Sequence, residues 1–173
     1  MKRIHRLIFV LAILILCTGC DQVVKTIAKR SLATSAPISL LNGLIVLEYH
    51  ENTGAFLSLG ANLPVEVRFV FFTVIVCLIL GATLVFTIKV NNLSRVQLVG
   101  LSLLAAGGVG NLIDRIFNNG AAIDYIHIGI GSLRTGIFNM ADLAIVAGIV
   151  IILLSSFQIP HLSIGKSKKN GQG

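Results

Sequence analysis

Charge is what this sequence has least of. Only 12% of its 173 residues are charged while 55% are hydrophobic, and the mean hydropathy is +0.91, a balance that no soluble domain of ordinary composition reaches. Acids are the scarcer sign, 7 against 14 Lys and Arg. There is no His-Glu-x-x-His, and His50 and His127 lack a suitably spaced third ligand, so neither a metal centre nor another cofactor is expected. The 3 cysteines make no disulfide framework. Cys17 and Cys20 spell Cys-x-x-Cys, but inside an apolar run and without the βαβ setting of a redox motif, and Cys77 reads as a small buried apolar residue. Internal repeats and low-complexity tracts are missing too. The basic residues are scattered among segment ends, which leaves no nucleic-acid footprint.

Long apolar runs are what the chain does have. About 20 apolar residues span the hydrocarbon core of a bilayer, and four stretches qualify, about Leu7–Ile27, Val67–Ile88, Val96–Phe117 and Phe138–Phe157. The expected fold class is an all-α membrane protein of four transmembrane helices with a small periplasmic β element between helices 1 and 2. Lys and Arg are retained on the cytoplasmic side. The basic tip (Lys2, Arg3, Arg6), the link with Lys89 and Arg95, and the tail with Lys166, Lys168 and Lys169 therefore place both termini in the cytoplasm. All 7 acids fall in outer segments or toward outer helix ends. The net charge of +7 then reads as a topology and anionic-lipid signal. The β element is expected within about 28–64, around the turn signals Asn42-Gly43 and Asn52-Thr53-Gly54. Asn118–Ile137 reads as a Gly-rich outer loop, and the last dozen residues as a disordered tail.

The stretch "LILCTGCDQVVK" raises a conflict. After a basic tip and an apolar core, Thr18-Gly19-Cys20 fits a lipoprotein signal peptide whose cysteine becomes a lipidated N-terminus, although Cys17 stands where such boxes usually carry Leu. Yet the apolar run continues through Val23, Val24 and Ile27, with Asp21 and Lys25 built into it and three further spans behind it. A permanent helix is the better reading.

Charges inside membrane helices cost about 2.5–3.5 kcal/mol each on insertion scales, which makes every one a functional hypothesis. Asp21 and Lys25 lie four apart, acid first, the favourable order for an ion pair at the outer end of helix 1; orientation of a nearby site is the alternative. Gly107, Asn111 and Arg115 form one stripe at spacing four, so a close-packed face also carries an amide and a guanidinium. These serve either interhelical hydrogen bonding, with Arg115 reaching for the interface, or a site. Asp114 and its neighbour Arg115 point different ways and do not pair with each other. Asp124 alone is an ordinary turn aspartate. Asp142 alone completes a capping box with Asn139 as N-cap. Together, however, the loop between them can fold the two carboxylates side by side, and such a pair shares a proton. Its ionised member can then activate a water while the protonated one polarises a carbonyl, which is peptide hydrolysis without nucleophile or metal. A Ser-Lys arrangement of Lys25 with Ser58 is unmotivated by spacing. A small proton-coupled transporter using Asp142, Asp114 and Arg115 is the rival from another class, but the polar residues gather toward one face and trace no path across.

At these residues the chain resembles the lipoprotein signal peptidases, the signal peptidase II family of bacterial membrane aspartyl proteases. The motifs that carry the resemblance are "DQVVK", "NTGAF", "GGVGNLIDR", "AIDYI" and "FNMAD", in that order and over nearly the whole length. The resemblance implies that Asp124 and Asp142 are the catalytic dyad and that Asp21, Lys25, Asn52, Asn111, Arg115 and Asn139 line or brace the substrate site. It implies as substrates prolipoproteins whose lipobox cysteine already carries diacylglyceryl, cut on the N-terminal side of that cysteine. It further implies a monomer in the bacterial inner membrane among its lipids, with the site toward the periplasm. Residues 1–157 are then one four-helix catalytic domain and 158–173 a basic cytoplasmic tail. Tyr125 and Leu57 depart from commoner family residues and bear on pocket shape, not on the dyad.

Overall fold

The structure is a computed structural model that describes residues 2–55 and 59–157. Phe56 of "NTGAF", Leu57, Ser58 and the basic tail from residue 158 onward lie outside the described residues. The chain runs α1 (Arg3–Leu32), β1 (Ile38–Leu40), β2 (Ile45–Asn52), α2 (Val65–Lys89), α3 (Arg95–Phe117), β3 (Ala122–Ile130), β4 (Leu133–Arg134) and α4 (Met140–Phe157). All four helices are long and apolar enough to cross a membrane. The expected spans hold, with α1 extending beyond Leu7 and Ile27 at both ends and Phe138 falling outside α4. α1 continues unbroken through Cys20.

α3 is the central helix. Over half of its apolar window (56%) is buried, against 11% in each of the other three, which leave most of their apolar surface outward for lipid. Small residues make that centrality possible. A Cβ on Gly107 would come within 2.2 Å of the Ala141 carbonyl oxygen, and one on Gly148 within 2.6 Å of the Gly100 oxygen, so α3 and α4 touch backbone to backbone. At the end remote from the sheet, the buried Arg6 guanidinium donates to the carbonyls of Val90 and Asn91, partnering oxygens that the end of α2 leaves free. α3 starts there with a capping box, Ser94 Oγ accepting from Gln97 N at 3.1 Å and Gln97 Oε1 from Ser94 N at 3.0 Å. Near the start of α2, Val70–Ile75 widens into a π-helical turn, a distortion frequent at functional sites.

The expected hairpin forms between β1 and β2, with Leu41, Asn42 and Gly43 all at positive φ in its turn. The reading of Asn118–Ile137 as a plain loop is corrected. It supplies β3 and β4, and the four strands form one antiparallel set in the order β1-β2-β3-β4. The segment "AIDYIHIGI" buries Ala122, Ile123, Asp124 and Tyr125 at its start, and Tyr125 packs with Ala28 and Leu32 at the end of α1. Burial against a helix and pairing with β2 outweigh its turn-like glycine and polar residues. The β2–β3 register shifts between Leu47 and His50, then pairs His50 with Asp124 and Asn52 with Ala122. Asp124 is therefore a strand residue, not a turn aspartate.

Candidate active site

The end of α4 nearest the sheet forms first from local chemistry. Asn139 Oδ1 accepts from Asp142 N at 2.9 Å, and Asp142 Oδ2 accepts from Asn139 N at 3.1 Å. The capping box expected from spacing is present, but it uses only one oxygen of Asp142. The other, Oδ1, accepts from Asn111 Nδ2 of α3 at 2.8 Å, an approach the glycine contact at Gly107 permits. The helix N-terminus favours negative charge at this position.

Asp124 comes to the same place from β3 and is 1% exposed. Its Oδ2 accepts from Asn52 Nδ2 at 2.9 Å and its Oδ1 from Asn139 Nδ2 at 2.6 Å. Asn139 is thus bonded to both carboxylates, and it is itself fully buried. Burial pushes the Asp124 carboxyl up to about 6; the Asn52 amide opposes that shift and the charge of Asp142 adds to it. Asp124 and Asp142 border one cavity of about 390 Å³, together with Asn52, Asn111 and Arg115, and its apolar wall comes from α2 and α4, including Phe72 and Ile145.

Arg115 ties α3 to the segment after β2. Its guanidinium donates to the Gly54 carbonyl at 2.6 Å and to Asn111 O at 3.3 Å, and sits 6.0 Å from the Phe72 ring centroid. Asn52 holds the same segment, accepting from Gly54 N at 2.9 Å and donating to Ala55 O at 3.1 Å. Beyond Arg115 a larger cavity of about 770 Å³ opens between α2 and α3, bordered by Thr53, Glu66, Phe69, Thr73 and Asn119. Neither carboxylate of the pair reaches it, so size alone does not mark the chemistry.

The expected Asp21–Lys25 ion pair is present at 2.8 Å, with both side chains buried. Sequence reasoning missed its third member. Lys25 Nζ also lies 2.7 Å from Asp114 Oδ2 and donates to Asn111 Oδ1 at 2.8 Å, so its three protons have three acceptors. Gln22, also overlooked, donates to Asp114 Oδ1 at 2.9 Å. The signal was available, since a buried acid in α3 requires a cation at its own depth and Lys25 is the lysine of α1 that sits there. All eight residues singled out from the sequence, Asp21, Lys25, Asn52, Asn111, Arg115, Asp124, Asn139 and Asp142, are joined in this one connected network. His127 is not part of it; its Nδ1 lies 3.4 Å from Glu48 Oε1 out on the sheet.

The transporter alternative finds no support, since the charged groups of the network gather at one end of the bundle. Residues 13–158 match the family described as signal peptidase (SPase) II. The chain is 31% identical over 149 residues to a lipoprotein signal peptidase of Staphylococcus carnosus, covering 86% of this chain and 87% of that protein. It is 27% identical over 137 residues to the lipoprotein signal peptidase of Geobacillus kaustophilus, covering 79% and 85%. A solved bacterial membrane enzyme, determined by the in meso method, superposes with a TM-score of 0.75 at 28% identity over 87% of this chain and 88% of that one. Matching motifs, fold and length leave one conclusion: this chain belongs to the signal peptidase II family, an aspartic peptidase of the bacterial membrane.

Proposed function

We propose that the protein removes signal peptides from diacylglyceryl-modified prolipoproteins, cutting before the lipidated cysteine, and that Asp124 and Asp142 are its catalytic pair. The observation that carries the assignment is Asn139, whose side chain and backbone bond to both carboxylates at the edge of one cavity. Asp142, at a helix N-terminus that favours a carboxylate, takes a proton from the attacking water. Asp124, buried and pushed up to about 6, holds the shared proton and gives it to the scissile carbonyl oxygen. Collapse of the tetrahedral intermediate breaks the C–N bond as Asp142 returns its proton to the leaving nitrogen, and Asp124 recovers the other from the intermediate.

Asn52, Asn111, Arg115 and Asn139 orient the pair and the peptide, while Asp21 and Lys25 brace them. The basic residues at the end remote from the sheet support a topology with both termini in the cytoplasm and the site toward the periplasm. Exposed apolar side chains such as Leu16, Leu78 and Leu154 face the lipid, and a single copy of residues 1–157 acts as a monomeric catalytic domain.

The test is cleavage of a peptide carrying a diacylglyceryl-cysteine lipobox by detergent-purified protein. Asp124→Asn and Asp142→Asn are each expected to lose about 10³-fold or more in kcat at unchanged folding, on the scale of removing an essential acid or base. Near-wild-type turnover by either variant would overturn the pair.

A further inference from the structure

Behind the cavity a second pair of aspartates repeats the first, one step removed along the backbone. Asp21 Oδ1 accepts from the backbone N–H of Ala141 at 2.9 Å, and Ala141 immediately precedes Asp142. Asp114 Oδ2 accepts from the backbone N–H of Ile123 at 3.0 Å, and Ile123 immediately precedes Asp124. Lys25 joins the two acids, at 2.8 Å from Asp21 and 2.7 Å from Asp114. Each rear aspartate is therefore one peptide unit, about 3.8 Å of backbone, behind a front one, and a single ammonium fixes how far apart the rear two stand.

We propose that Asp21, Lys25 and Asp114 are a positioning clamp that sets the separation of Asp124 and Asp142 by gripping the peptide N–H before each of them, with Gln22 holding Asp114 in place. The proposal rests on the reading of Asp124 and Asp142 as the catalytic pair.

Local geometry shows why such a grip has purchase. Ala141 lies in the first turn of α4, where N–H groups have no partner within the helix. Ile123 stands at the start of β3, and its N–H turns to α3. The third proton of Lys25 acts on the pair by a separate route. It and Asn139 Nδ2 both donate to Asn111 Oδ1, at 2.8 and 3.0 Å. The Asn111 oxygen is thereby committed, which leaves its NH2 for Asp142 Oδ1 at 2.8 Å. A flipped amide would set oxygen against the Asp142 carboxylate and NH2 against an ammonium. Gln22 closes the clamp by donating to Asp114 Oδ1 and to the Gly110 carbonyl, at 2.9 and 3.0 Å.

A clamp made of charges also leaves an electrical signature. The charged groups around the pair are Asp21 and Lys25 from α1 and Asp114 and Arg115 from α3; α2 presents Phe72 and Val76, and His50, the β2 neighbour of Asp124, is exposed. Removing a negative charge from the clamp eases loss of the shared proton and moves the alkaline limb of the kcat profile to lower pH. Removing the positive charge moves that limb to higher pH.

The experiment measures kcat, KM and the pH–rate profile for Asp114→Asn, Asp21→Asn and Lys25→Met, with the lipobox peptide and detergent-purified protein, at a temperature where each is folded by circular dichroism. Displacement of a reacting group by about 1 Å costs about 10²-fold. That loss is expected in kcat for all three, with KM little changed. The alkaline limb should fall by roughly one pH unit in the two Asn variants and rise by a similar amount in Lys25→Met. Should Lys25→Met not fold, the two Asn variants decide alone. A wild-type kcat and limb in both, while Asp124→Asn and Asp142→Asn are dead, would overturn the clamp and leave the catalytic pair standing. Activity retained in Asp124→Asn or Asp142→Asn would instead overturn the pair itself.

Discussion

Two pairs of aspartates face each other across Asn111, and the partners of each pair differ. Asp21 and Asp114 share the Lys25 ammonium, while Asp124 and Asp142 are met by the amides of Asn52, Asn111 and Asn139. A buried cation compensates buried carboxylates and holds them in one geometry. Amides donate to a carboxylate without cancelling its charge, so a proton can still come and go. The same side chain at the same end of the bundle thus stands beside an ammonium in one pair and among amides in the other, the difference on which the proposed roles of strut and reactive group rest.

Lys25→Met and Asp124→Asn should damage the protein in opposite ways. Lys25→Met leaves two buried acids without their cation, and loss of one partner of a buried ion pair costs about 3–5 kcal/mol; a large drop in Tm in detergent is expected. Asp124→Asn should leave Tm near wild type while abolishing turnover. Its pH dependence sharpens the contrast. Asp124 binds its proton more tightly when folded, up to about 6, than an ordinary carboxylate near 4 does. The stability this contributes is complete below about pH 4 and is lost as pH rises through about 6. Wild type should lose stability across that interval, and Asp124→Asn, having nothing to titrate there, should show a flatter Tm profile. Equal slopes in the two proteins would contradict the protonated assignment of Asp124.

A smaller effect is expected from Gly107→Ala. Its methyl meets the Ala141 carbonyl in the turn that carries Asp142, and overpacking of this kind costs about 1–3 kcal/mol. Chemical denaturation should register that loss, together with a fall in kcat as α4 is pushed away from Asn111. The smallest is Thr18→Ala, which removes one hydrogen bond to Ala106 O at 3.0 Å. Interhelical bonds within membranes average about 0.6 kcal/mol, so Tm should move by little and kcat not at all. A large loss of kcat there would mean that the working network extends further down α1 than the clamp.

The four spans were legible because an apolar run of the right length has few meanings, and the β1–β2 hairpin because Asn42-Gly43 marks its turn. The capping box of Asp142 with Asn139 was legible, since capping geometry is a local pattern. β3 was not. Its Asp124, His127 and Gly129 look like a loop until β2, some seventy residues earlier, supplies the strand beside it. The link from Lys25 to Asp114 stayed hidden for a related reason, because spacing within one helix says nothing of the depth at which another helix passes.

The continuity of α1 through Cys20 bears on how the enzyme tells itself from its clients. Its own Thr18-Gly19-Cys20 spells much of a lipobox, yet the backbone there is wound into a helix, with Thr18 bonded to α3 and Asp21 to α4. Water attack at a peptide bond needs that bond unwound and laid open beside the carboxylates. Asp142, the later of the two in the sequence, comes with α4. The look-alike stretch is thus held in helical form by its bonds to α3 and α4, and its conformation, not its spelling, sets it apart from an extended lipobox.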